Sequence, residues 1–235
     1  MRFHSSNPIL RSRAVREGSY ASDRPVTYAN VAAKTLLLIV IAGASAFYAL
    51  MNIEAAFTTG WLIGAAILAF LSSILGTILV RWSWMFGILY AISEGILLGV
   101  VSLLFEYEYE GIVPTALATT VIVLLVMMLL YSMNIIKVNS RFASFLVVSM
   151  ISILVMSLLG LIFPFGGSFY YLICILSTLV ACLYLFWDFE NVKNCVETGA
   201  DASVGWVLAL GLMVSLVWIY IEVLRILAIF GNRRR

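Results

Sequence analysis

Of 235 residues, 63% are hydrophobic and 11% charged, and mean hydropathy is +1.09, more apolar surface than a water-soluble core can absorb. Net charge is only +2, and the basic residues gather between Arg2 and Lys34 and at Arg233 to Arg235, so no basic face is offered to a nucleic acid. The three cysteines, Cys174, Cys182 and Cys195, are odd in number and lack metal-ligand spacing, and they read as reduced packing residues.

In chain order, residues 1–33 form a polar tail with Pro8 and Pro25 and without the apolar core of a cleavable signal; they read as a cytoplasmic tail. Residues 34–231 read as one transmembrane domain, because a helical span needs about 20 apolar residues and uncharged runs fill most of the chain after Lys34. The spacing predicts spans at about 35–53, closed by Glu54, and within 55–80, closed by Arg81. A third covers about 82–105 and ends on the acidic segment Glu106, Glu108, Glu110, and a fourth fills 112–136 from near Pro114. Residues 142–187 carry no charge, too long a run for one helix, and Pro164 with Gly166 and Gly167 divides it in two. The last span runs from about Ser203 to Phe230, which makes seven, followed by a basic end at 232–235. Trp82, Trp84, Trp187 and Trp206 read as interfacial anchors near span ends.

Arg81, Lys137 with Arg141, and Lys193 fall in alternate loops on the side of the basic tail, which places the N-terminus inside the cell. Seven crossings then leave Arg233 to Arg235 outside, against the same rule: either the last span does not cross fully, or the earlier loops dominate.

An ionisable group at mid-membrane costs roughly 2.5–3.5 kcal/mol on insertion scales and is normally given a partner or a role. Glu94 sits in the middle of its span beside the small residues Ala91, Gly95 and Gly99. It either lines an ion or proton pathway or ties helices together by hydrogen bonds. Glu222 and Arg225, three residues apart on one helix face, suit the same pathway or a local ion pair. Asp188 and Glu190 end the sixth span at the face where Arg81 ends the second, so a carboxylate and a guanidinium can form a cytoplasmic latch that weakens on protonation, or simply anchor helix ends. Glu106, Glu108 and Glu110 form a solvated loop, or an external mouth that concentrates cations; no fixed metal site is expected, though oxygen ligands suit calcium in transit. The only histidine is His4, no lysine is expected within a span and the sole Gly-Ala-Asp, residues 199–201, falls in a loop, so a serine–histidine or zinc protease is excluded, a membrane aspartyl protease is disfavoured and no cofactor is expected.

The segments Leu89-Tyr-Ala-Ile-Ser-Glu-Gly-Ile-Leu-Leu-Gly99, Trp187-Asp-Phe-Glu190 and Gly211-Leu-Met-Val-Ser-Leu-Val-Trp-Ile-Tyr-Ile-Glu-Val-Leu-Arg225, in that order, resemble the bacterial Bax inhibitor-1/YccA family, and Ser5-Ser-Asn-Pro8 resembles one bacterial branch of it. The resemblance implies an all-α bundle of seven transmembrane helices with the C-terminal helix central, and a pH-sensitive calcium leak across the cell membrane. It also implies that Asp188 and Arg81 hold two of three gate positions. The third, an aspartate in the family, falls on Ser215, counting back from Leu224-Arg225. Glu94 or Glu222 is then the candidate to supply the missing carboxylate. A second reading is a regulatory protein that binds other membrane proteins, such as proteases or stress-response components, through its tail.

Overall fold

The computed structural model describes residues 24–52, 59–135, 138–162 and 167–232. Within them lie α1 (Tyr28–Met51), α2 (Thr59–Ile78), a 3-10 turn (Val80–Trp82), α3 (Ser83–Glu108), α4 (Ile112–Ser132), α5 (Ser140–Ile162), α6 (Gly167–Glu197) and α7 (Val204–Asn232). All seven α-helices are long and apolar enough to cross a membrane. Glu54, Lys137, Pro164 with Gly166, and Arg233 to Arg235 lie outside the described residues.

Four boundaries differ from the sequence expectation, each for a local reason. First, α1 begins at Tyr28, because the Thr27 side chain accepts a hydrogen bond from the Asn30 backbone N–H (3.2 Å) and caps the helix there. The tail boundary at residue 33 therefore falls inside α1, and Lys34 is a lysine within a span after all. Its ammonium escapes the apolar surroundings by donating to the Ala202 carbonyl (2.7 Å) and lying 5.1 Å from the Trp206 ring centroid.

Second, α3 continues through Glu108, so Glu106 and Glu108 lie in its last turns and only Glu110 lies in a loop. The chain meets no helix breaker until Gly111, whose φ of +79° caps α4 and completes a tight reversal. Third, α6 does not end at Asp188 but runs nine residues further, to Glu197. It stops at Gly199, whose φ is +65°, where the Gly199 N–H donates to Val196 (3.1 Å) and the Ala200 N–H to Cys195 (3.0 Å), the two bonds of a Schellman end. At about 1.5 Å per residue, Asp188 lies roughly 13 Å inside the helix rather than at its mouth. Trp187 is likewise inside α6, with its ring centroid 5.5 Å from that of Tyr184, and is no helix-end anchor. Fourth, α7 reaches Asn232; its 29 residues span about 43 Å, more than the roughly 30 Å of a hydrocarbon core. A full crossing by the last helix is thus geometrically available.

The chain divides into two compact units, one of Met1–Tyr107 with Asn191–Val214, the other of Glu108–Glu190 with Ser215–Arg235. In the first, α1 and α3 pack through small residues. A Cβ built on Gly95 would run into Ser45 Oγ and the Ala42 carbonyl, and one on Gly99 would lie 2.8 Å from the Ala46 carbonyl. Backbones approach this closely because lipid offers no hydrophobic drive between helices, and dispersion at short range replaces it. Ser45 Oγ accordingly sits 3.0 Å from the Ala42 carbonyl and 3.4 Å from that of Ala91. Buried residues of α1 recur as Val31, Thr35, Leu38, Ala42 and Ala49, one helical stripe, while Leu36, Val40 and Phe47 face outward.

Helix α7 has the burial expected of a central helix: 67% of its most apolar stretch is buried, against 33% or less in the other six. Gly95→Leu should displace α1 and cost about 1–3 kcal/mol. Thermal unfolding of the detergent-solubilised protein should show a lowered midpoint, whereas Gly43→Leu, where nothing lies within 4 Å of an added Cβ, should leave it in place.

Candidate functional site

The polar side chains of the second unit gather along α6 and α7. Ser215, buried on α7, donates its hydroxyl to Asp188 Oδ2 on α6 at 2.5 Å. Serine donates one hydrogen bond and cannot share a charge, so here Asp188 faces a hydroxyl and not a second carboxylate. Aromatic rings line this level. The Tyr184 centroid lies 5.5 Å from Trp187 and 5.6 Å from Trp218, and its hydroxyl reaches Met150 Sδ at 3.4 Å.

Seven residues, or two turns, along α7 comes Glu222, 2% exposed. Its Oε1 accepts from Ser177 Oγ of α6 at 2.7 Å, from Trp218 Nε1 at 3.3 Å and from Arg225 Nη1 at 3.2 Å. Three donors, one of them a guanidinium, thus converge on a single oxygen. Oε2 is buried and has no hydrogen-bond partner among the described residues. Arg225 satisfies Glu222 from one side while its own side chain stays 41% exposed, the posture of a long cation reaching out of the apolar layer. Tyr170 and Cys174, hydrogen-bonded to each other on α6, lie within electrostatic reach of both.

Because α6 and α7 are joined by a short turn and run antiparallel, Asp188 meets Ser215 while Ser177 meets Glu222, so two polar levels share one seam. Their separation along α7 is about 10 Å. Ala181, Leu185 and Ile219, each 0% exposed, belong to the stretch between. Ser177 and Trp218 were not legible as partners; Ser177 is one of several serines in a long uncharged run. Trp218 had the i,i+4 spacing that could have pointed to Glu222.

Glu190 takes no part in this seam. Its Oε2 accepts from Tyr131 Oη of α4 at 2.8 Å, and the Tyr131 ring packs 6.2 Å from Phe186 and 5.6 Å from Phe189. In the first unit, Glu94 is half-buried and makes no hydrogen bond or ion pair among the described residues. Arg81 is exposed in the 3-10 turn. Glu106 is half-buried, and Glu108 and Glu110 are exposed. Among the described residues no three His, Cys, Asp or Glu side chains come together as a metal site.

The family described as Bax inhibitor 1 like matches residues 7–232, nearly the whole chain. No curated protein matches the sequence.

Two conservative deletions test the seam. Ser215→Ala leaves Asp188 Oδ2 without its α7 donor and should cost about 1–3 kcal/mol, the usual penalty for orphaning a buried acceptor. Ser177→Ala should cost nearer 1 kcal/mol, since Glu222 Oε1 keeps Trp218 and Arg225. Denaturation of the lipid-reconstituted variants measures the difference, and equal midpoints for both would refute this ordering.

Proposed function

Given that the chain belongs to the Bax inhibitor 1 like family, we propose that it is a multi-pass protein of a bacterial cell membrane, N-terminus inside, that lets cations, calcium in particular, leak down their gradient when the inner face acidifies. The observation that carries this reading is the seam itself: two carboxylates, the half-buried Asp188 and the buried Glu222, each anchored by a serine of the facing helix.

In this reading Asp188 is the gate. Its carboxylate is held by Ser215, and the family resemblance implies Arg81 as its partner cation. Acid removes the charge, the attraction falls, and the gate loosens, so flux rises as pH falls. Glu222, with Arg225 as counter-ion, is the second station, and Glu94 is a third carboxylate for a passing ion. Glu106, Glu108 and Glu110 at the α3–α4 turn would raise the local cation concentration at the outer mouth. None of these is a calcium cage, which would need six to eight oxygens at roughly 2.3–2.6 Å. A leak requires the opposite: stations weak enough to release the ion.

Serine at position 215 has a specific consequence. With one carboxylate at the gate instead of a coupled pair, the pH response should follow a single protonation, whereas Ser215→Asp should spread it over two steps. Purified protein in liposomes loaded with a calcium-sensitive dye measures this. Wild type should leak faster in acid than at neutral pH, Asp188→Asn should leak at neutral pH as wild type does in acid, and Glu94→Gln should lose most of the flux. Wild-type liposomes that hold their calcium gradient at both pH values would sink the proposal, and unchanged flux in Glu94→Gln would remove Glu94 from the pathway.

A further inference from the structure

The residues just before α1 are tied to the turn between α6 and α7, and nothing in the proposed leak uses this. Pro25 and Asp201 face each other as an isolated antiparallel pair. The Val26 N–H donates to the Ala200 carbonyl at 2.8 Å, and the Ala202 N–H to the Arg24 carbonyl at 3.0 Å. Pro25 and Asp201 are therefore a wide pair, in which neither residue's own N–H is used, and proline's missing donor costs nothing there.

The helix that follows grips the same turn. Thr27 caps α1 directly after the paired residues, and two turns on, Lys34 donates to the Ala202 carbonyl at 2.7 Å and lies over Trp206 in the first turn of α7. Fit reinforces the hydrogen bonds. Val26 and Val31 are 1% exposed, Val204 3% and Ala200 4%. A Cβ on Gly205 would lie 2.8 Å from Asn30 Oδ1, 2.9 Å from Lys34 Nζ and 3.2 Å from Val26 Cγ2, so a side chain here would push the ends of Asn30 and Lys34 aside.

From this geometry we infer that residues 24–27 are a strap that, with Lys34, clamps the α6–α7 turn and thereby holds Ser215 in register with Asp188. Helix α7 is continuous from Val204 to Asn232, so Ser215 rides on the clamped helix about 16 Å along. Freeing the strap lets α7 shift or turn at its start, and a hydrogen bond held at 2.5 Å does not survive displacement of one partner by an ångström or more. Whatever pulls residues 24–27 away opens the gate, and whatever seats them closes it. The effect on flux rests on the leak reading; the clamp itself does not.

The test locks and frees the strap in the full protein. A wide antiparallel pair brings Cα atoms to about 4.5 Å, within the disulfide range of about 4.4–6.8 Å, so Pro25→Cys with Asp201→Cys should crosslink on oxidation. Deletion of residues 1–26 combined with Lys34→Met frees the turn. Two readouts are taken in lipid: hydrogen exchange of the backbone amides of residues 198–215, and calcium flux in acid.

The oxidised crosslink should slow exchange and cut flux severalfold, reversing on reduction, with each single-cysteine variant indifferent to oxidant. The freed variant should exchange faster and leak severalfold more at neutral pH. If oxidised and reduced forms exchange and leak alike, or if exchange responds while a robust wild-type leak does not, the strap is overturned. Exchange that follows the strap while no form leaks would uphold the clamp and overturn the leak reading instead, which separates the two failures. Should the deletion fail to fold, the oxidised and reduced states of one crosslinked preparation still decide the matter.

Discussion

A carboxylate inside a bilayer has no water to turn to, and everything polar around Glu222 follows from that constraint. Ser177, Trp218 and Arg225 converge on Oε1 because without them the buried Glu222 would have no hydrogen-bond donor among the described residues. Their mutual satisfaction fixes the rotation of α7 against α6. Once α7 is rotated so that Glu222 meets Ser177, the residue two turns back on the same face is Ser215, and it meets Asp188. The lower level of the seam is thus set by the upper one and by the antiparallel course of the two helices.

The first unit solves the association problem differently. Between α1 and α3 glycine and alanine let backbones touch, and Ser45 Oγ meets the Ala42 and Ala91 carbonyls. Packing of this kind is sensitive to volume, whereas the α6–α7 seam rests on carboxylates and the donors that reach them. A chain that uses one to hold shape and the other to hold charge can change its seam without dismantling the rest. The strap sits with the shape-holding part, yet it grips the turn from which α7 starts.

Much of this was legible in the sequence. Charge-free runs of about 20 residues give the seven spans, and the rare charges within them single out Glu94 and Glu222. The helix ends were less legible. Charge was read as a stop signal at Lys34, Glu106 and Asp188, but the helices end where the backbone demands it, at a Thr27 cap and at Gly111 and Gly199 with positive φ. Partners were the least legible. Arg225 could be paired with Glu222 because both sit on one helix at i,i+3, but Ser177 is 45 residues away, and the contact of Lys34 with Ala202 spans 168. Periodicity reports which face of a helix is buried, not what the neighbouring helix brings to it.

The serine at 215 also bears on what kind of gate this chain can have. Two carboxylates in contact cannot both keep their charge, so they stay together by sharing a proton. A serine and a carboxylate have no such conflict: the hydroxyl donates whether or not anything else has changed, and the bond is broken by moving a helix as readily as by adding a proton. A chain with serine at this position should therefore depend more on what positions α7 than one with a carboxylate there. The clamp at Pro25, Val26 and Lys34 holds the start of α7, as the Glu222 cluster holds its rotation further along. In the proposed reading, serine at the gate and a strap at the helix start are two parts of one arrangement, in which mechanical hold takes over part of the work that a shared proton performs in a paired-carboxylate gate.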